Sequence, residues 1–331
     1  MKRTGTGSWF AFILGAILAP QAIAAAEDPP GSATSRFAAG VAHGHALMRA
    51  SDEPAAPSPP EYSDASIAII LDDLGDGGPA GLRAVGLPGP VACAFLPDGP
   101  HTRAQADLAY ARGKEVLLHL PMEPLNHLRG YPTSLTLKTP RDPLVAYLRA
   151  SLAAVPHVRG VNNHQGSELT ADALHMGWVM AELHAIGGLY FVDSRTTADS
   201  VAFRTARQYS VPSAERDVFL DTERGAAAVR AQFQRLLETA RFHGTALAIG
   251  HPYPEVFELL EKELPRLASY GITLVSPSAL IERETGERVT PTLTLAAVPG
   301  TSAGGLNSYS TTPATSTTPR AAPGSMSGGG H

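Results

Sequence analysis

Seven short apolar runs, at 67–71, 91–95, 115–120, 158–162, 189–193, 245–250 and 272–275, constrain this chain more than any other feature. Each is continuous rather than alternating, as expected for a strand covered on both faces. Segments with helical starts and stops lie between them. Thr102 precedes one that ends at Gly113, Thr139 and Pro140 open another, and Thr170 opens a third that closes at Gly187 and Gly188. Asp221 precedes a long segment over 223–242, and Pro254 opens the last. This alternation predicts a parallel α/β architecture, either a (β/α) barrel or an open sheet.

The periodic block spans 64–284 and reads as one domain. With 331 residues, 44% of them hydrophobic and 17% charged, the chain can bury a sizeable core. Its net charge of −5 carries no footprint of nucleic-acid binding. Residues 27–63 and 285–331 are rich in Pro, Ala, Ser and Gly, lack periodicity, and are expected to be a disordered linker and a disordered low-complexity tail. The first 26 residues combine Lys2 and Arg3, an apolar core over 9–18, and small residues at Ala22, Ala24 and Ala26. That is the pattern of a secretory signal peptide, and the apolar core is short against the ~20 residues a membrane span needs. The expected location is periplasmic or secreted, with no stable membrane span after cleavage. Cys93 has no partner for an internal disulfide and reads as a buried thiol in an apolar run.

In parallel α/β folds, chemistry gathers at the carboxyl ends of the strands. Here those ends carry Asp72 and Asp73, then His119, then Asn162, Asn163 and His164, then Asp193, Ser194 and Arg195, and finally His251. Carboxylate and imidazole suit a divalent cation such as zinc, which polarises a carbonyl and acidifies water. Two adjacent aspartates in a regular strand point to opposite faces. A turn at Gly75–78 would let both tip into one cleft. Its DLGDGG sequence matches no phosphate-binding loop. His175 and His184 lie on a helical segment with Trp178 and read as structural.

The segments IAIILDDLG, HLPMEP, GVNNHQGS, GLYFVDSRT and AIGHPYP, in this order, resemble the divergent polysaccharide deacetylase family of bacterial envelope proteins, related to NodB-type deacetylases. The resemblance covers about 66–284 and implies a distorted (β/α) barrel of about seven strands. It implies an exported metal-dependent hydrolase that removes acetyl groups from a carbohydrate, with an acetylated glycan as partner. It casts Asp72 as base, His251 as acid, and Asp73 and His119 as metal ligands. The position of the related enzymes' second ligand histidine falls on Glu123, which could itself bind a metal at a less zinc-like site; alternatively His164, from the next strand, completes the set. Glu123, Asn163, Asp193, Ser194 and Arg195 are then expected to contact substrate. The altered second motif keeps open a non-catalytic envelope protein that binds glycan or acts as a scaffold on the same fold. A glycosidase would need paired carboxylates, for which Asp72 and Asp193 are the available pair. Tyr131 and Tyr253 are placed near the site loops, where a ring could stack on a sugar.

Overall fold

The computed structural model describes residues 65–125 and 129–290. The expected signal peptide, the linker and the tail from 291 onward lie outside the described residues. Among the described residues nine strands form one sheet: β1 (Ala65–Leu74), β2 (Ala92–Phe95), β3 (Val116–Met122), β4 (Val158–Gln165), β5 (Tyr190–Asp193), β6 (Ser213–Glu215), β7 (Val218–Phe219), β8 (Thr245–Gly250) and β9 (Ile272–Leu274). All seven apolar runs form strands. The additional pair, β6 and β7, is too short to stand out in the sequence.

The order along the sheet is β6-β5-β4-β3-β2-β1-β8-β7, and every pairing is parallel. Strand β1 is shared on one side, by β9 at its start and by β2 at its end. The outermost strands, β6 and β7, are separated in sequence by Arg216 and Asp217 alone. The Arg216 N–H donates to the Asp193 carbonyl of β5, and the next N–H, of Asp217, donates to the Leu247 carbonyl of β8. One dipeptide therefore touches both ends of the sheet, which must curl into the distorted barrel.

Helices α1 (Gly78–Gly86), α2 (Thr102–Ala111), α3 (Arg141–Ala154), α4 (Ala173–Ile186), α5 (Ala202–Gln208), α6 (Ala226–His243) and α7 (Pro254–Glu263) follow successive strands. Their apolar faces join the outward residues of the strands, including Ile67, Ile69, Leu71, Cys93, Leu118 and Phe191, in one core cluster. A second cluster fills the barrel with Ala68, Ile70, Ala94, Leu117, Tyr190, Val192, Leu247 and Ile249. Helix α8 (Pro277–Thr285) plugs its base, contributing Leu280 and Ile281, with Val289 beyond it. The packed chain thus continues past the expected boundary at 284.

Two predicted helix caps act otherwise. Thr102 lies inside α2 and donates its hydroxyl to the Leu96 carbonyl, while Thr170 donates to the Gly166 carbonyl. Asp172 caps α4 instead, accepting from the His175 N–H at 2.9 Å and facing His175 Nδ1 at 2.7 Å. That pairing, with Trp178 against the His175 ring, makes His175 structural. Among the described residues no helix is long and apolar enough to cross a membrane.

Candidate metal and catalytic site

Strand parity selects the residues that reach the barrel mouth. Ile70, Leu117, Val192 and Ile249 belong to the interior cluster. Two positions further along each strand direction come Asp72, His119, Ser194 and His251, and a period of two keeps them on the inner side. On β4, Val161 packs in the outer cluster, so its neighbour Asn162 and then His164 face inward.

Asp73 would point outward by the same rule. It does not, because β1 carries a bulge. Leu71 pairs with Cys93 and Leu74 with Phe95, so three steps on β1 match two on β2. The extra residue is accommodated at Asp73, whose φ of 57° is left-handed, a conformation aspartate tolerates better than most residues. The carboxylates therefore share one mouth through a torsion at Asp73 itself, two residues before the expected turn at Gly75.

Asp73 Oδ1 lies 2.8 Å from His164 Nδ1 and 3.2 Å from His119 Nε2, and those two nitrogens are 3.1 Å apart. The three atoms lie within 4.8 Å of one another, the cluster among the described residues that could hold a metal ion. One carboxylate and two imidazoles form a donor set suited to zinc and similar ions. Facing imidazole nitrogens beside a carboxylate oxygen need a proton or a cation between them, so the residues present fit the ion that the sequence reading expects.

Asp72 lies deeper, almost wholly buried. Its Oδ1 accepts from Asn162 Nδ2 at 2.8 Å, and Oδ2 lies 3.6 Å from His119 Nε2. Burial pushes its pKa up, against the lowering effects of His119, His251 and Asn162. Burial also acts to raise the Asp73 pKa, but hydrogen bonds from His119 and His164 outweigh it and hold this carboxylate well below the usual range. The two adjacent aspartates are thus split by environment into a more basic and a less basic group.

His251 stands across the mouth, with Nε2 3.6 Å from Asp73 Oδ2. Its Nδ1 is 3.2 Å from Asp221 Oδ1, and its backbone N–H donates to Asp221 Oδ2 at 2.7 Å. Burial works to lower the imidazole pKa, yet Asp221, Asp73 and Asp72 outweigh it and raise it to about 9. Aromatic rings border both sides. Tyr131 meets the His164 ring edge-on at 5.2 Å, its hydroxyl donating to Asp98 Oδ1 at 2.5 Å. Phe219 and Tyr253 lie 5.3 Å and 5.7 Å from the His251 ring.

Several expected contact residues are used elsewhere. Glu123 accepts the Leu137 N–H at 2.6 Å and anchors the loop after β3 rather than joining the cluster. Asn163 has outward parity, and its amide bonds the Gln165 carbonyl and the Ser194 N–H. Asp193, also outward, accepts from the Ser200 hydroxyl and the Arg195 and Phe203 N–H groups. It fixes the turn into α5, and it does not face Asp72 as a glycosidase pair would. Arg195 turns to Glu215 at 2.5 Å. Ser194 stays at the mouth, its hydroxyl 3.3 Å from Asn162 Nδ2.

Two residues of the site have no role in the sequence reading. Asn162 is named there at its strand end, but the role goes to its neighbour Asn163, although parity from Val161 distinguishes them. Asp221 ends the apolar triplet Val218–Phe219–Leu220, a signal that was available but shorter than a recognisable strand.

A family model described as divergent polysaccharide deacetylase matches residues 69–281, the span that builds this mouth. The chain belongs to the divergent polysaccharide deacetylase family. The uncharacterized protein YibQ of Escherichia coli K12 is 36% identical to this family member over 225 residues, covering 68% of the chain and 70% of YibQ. An uncharacterized Haemophilus influenzae protein is 32% identical over 206 residues, covering 62% of the chain and 73% of its own length. The crystal structure of an uncharacterized Agrobacterium tumefaciens protein is similar in fold to this chain, with a TM-score of 0.63 at 27% identity. That match covers 66% of this chain and 89% of the other.

Proposed function

We propose that this chain is an exported, zinc-dependent deacetylase acting on an acetylated glycan of the cell envelope. The observation that carries the reading is the convergence of Asp73 Oδ1, His119 Nε2 and His164 Nδ1, with Asp72 and His251 on either side. Asp73, His119 and His164 would hold a divalent ion, which would polarise the acetyl carbonyl and acidify water. Asp72, raised in basicity by burial, takes the proton of the attacking water. His251 stays protonated at neutral pH through Asp221 and delivers its proton to the leaving amine or alkoxide. Tyr131 on one flank and Tyr253 on the other offer apolar ring surface to a sugar. The basic start, apolar core and small-residue sites of 1–26 support export, and so a periplasmic or secreted location.

Metal content of the purified protein, alongside Asp73→Ala and His119→Ala, tests this reading together with acetate release from N-acetylated chitooligosaccharide and O-acetylated xylan. Stoichiometric zinc in wild type, lost in both variants, and acetate release that falls ~100-fold or more in Asp72→Asn are expected. Protein that takes up no zinc, nickel or cobalt would sink the mechanism. Metal bound without turnover of either glycan would favour a glycan-binding protein on the deacetylase fold.

A further inference from the structure

Asn162 is wholly buried at the mouth, and its amide spans two groups of the site. Nδ2 donates to Asp72 Oδ1 at 2.8 Å, and Oδ1 lies 2.9 Å from His119 Nδ1. The Asp72 carboxylate only accepts, so the amide must present its NH2 group to it. The Ser194 hydroxyl, 3.3 Å from the same nitrogen, takes the second hydrogen. The amide oxygen is thereby left for His119, whose Nδ1 must carry the hydrogen in that bond. When the ring is neutral, His119 Nε2 then has a lone pair for a cation held with Asp73 and His164, whose atoms lie 3.2 Å and 3.1 Å away.

We infer that Asn162 is a positioning residue that locks the tautomer and ring direction of His119 for metal binding, its own orientation being dictated by Asp72. The inference rests on the metal reading above and deepens it. The base and a ligand are coupled through one side chain, so neither can be reoriented without the other. A ligand histidine commonly donates its second ring N–H to a fixed acceptor, and loss of that acceptor weakens metal binding 10–100-fold. In this chain the acceptor is an amide, which, unlike a carboxylate, also serves as a donor to the neighbouring base. Packing alone does not require that polarity, since a leucine of similar volume would fill the space.

Zinc affinities of full-length wild type, Asn162→Ala and Asn162→Leu, measured by competition with a chromophoric chelator, decide the matter. Circular dichroism melts confirm that each variant is folded. Asn162→Ala should bind zinc roughly 10–100-fold more weakly. Asn162→Leu keeps the volume but offers no acceptor to His119 Nδ1–H, and should be as weak as Asn162→Ala. Equal affinity of wild type and Asn162→Ala would overturn the inference alone. Asn162→Leu as tight as wild type would also overturn it, by assigning Asn162 to packing. A wild type that binds no zinc removes the metal reading and this inference with it.

Discussion

His251 and Asp73 face each other across the mouth, and their protonation acts on stability at opposite ends of the pH scale. The His251 pKa of about 9 lies above its ordinary value of 6.5. Its contribution is therefore fully present below the ordinary value and lost as pH rises through 9. The Asp73 pKa lies below its ordinary 3.8, so its contribution is present above that value and lost on acidification through the lowered one. Metal-free protein should lose on the order of 2–3 kcal/mol of stability from His251 as pH rises from about 6 to about 10. Asp221→Asn removes the carboxylate that bonds His251 Nδ1 and should flatten that slope. Urea unfolding of chelator-treated protein at both ends of this range is the check, and identical slopes in wild type and variant would place the effect elsewhere.

The strands act through parity and through one interruption of it. Asp72, His119, Asn162, His164, Ser194 and His251 reach the mouth because each continues an inward row, whereas Asn163 and Asp193 continue outward rows. The bulge at Asp73 is the exception that brings a second carboxylate into the same space. Further down, small residues make room for the interior's largest side chain. A Cβ on Gly160 would lie 2.3 Å from the Tyr190 ring. That ring is wholly buried, and its hydroxyl donates to Glu115 at 2.8 Å. Gly160→Ala should therefore cost about 1–3 kcal/mol through overpacking. Denaturant unfolding should show a lower midpoint at unchanged slope; a midpoint equal to wild type would mean the ring moves freely.

At the scale of the molecule, the barrel is closed in two ways. The Arg216–Asp217 dipeptide joins its lateral edges, and α8 seals its base. Glu115, at the foot of β3, accepts from Tyr190 and from the Ser278 N–H and hydroxyl, while Arg159 donates to the Val289 carbonyl at 3.2 Å. The base is thus a polar collar around Leu280, Ile281 and Val289. A chain ending at 276 should lose cooperative unfolding, whereas one ending at 290 should keep it. Differential scanning calorimetry separates the two, and a cooperative transition in the shorter chain would show that α8 is dispensable.

The sequence by itself determined the seven principal strands, the five helices α2, α3, α4, α6 and α7, and the strand ends where chemistry gathers, because these depend on local patterns of apolarity and punctuation; α1, α5 and α8 carried no such signal. Cys93 as a buried thiol was legible for the same reason, and burial pushes it up to about 12. Tertiary structure decided which strand-end residue faces the mouth where two or three polar groups stand together. It bent Asp73 inward through a bulge visible only against β2, and it drew Glu123 into a loop. It also made Asn162 and Asp221 partners of His119 and His251, 43 and 30 residues away in sequence. Local pattern sets which groups are available, but hydrogen-bond partners so distant in the chain are assigned only when the sheet curls and brings strand ends within reach of one another.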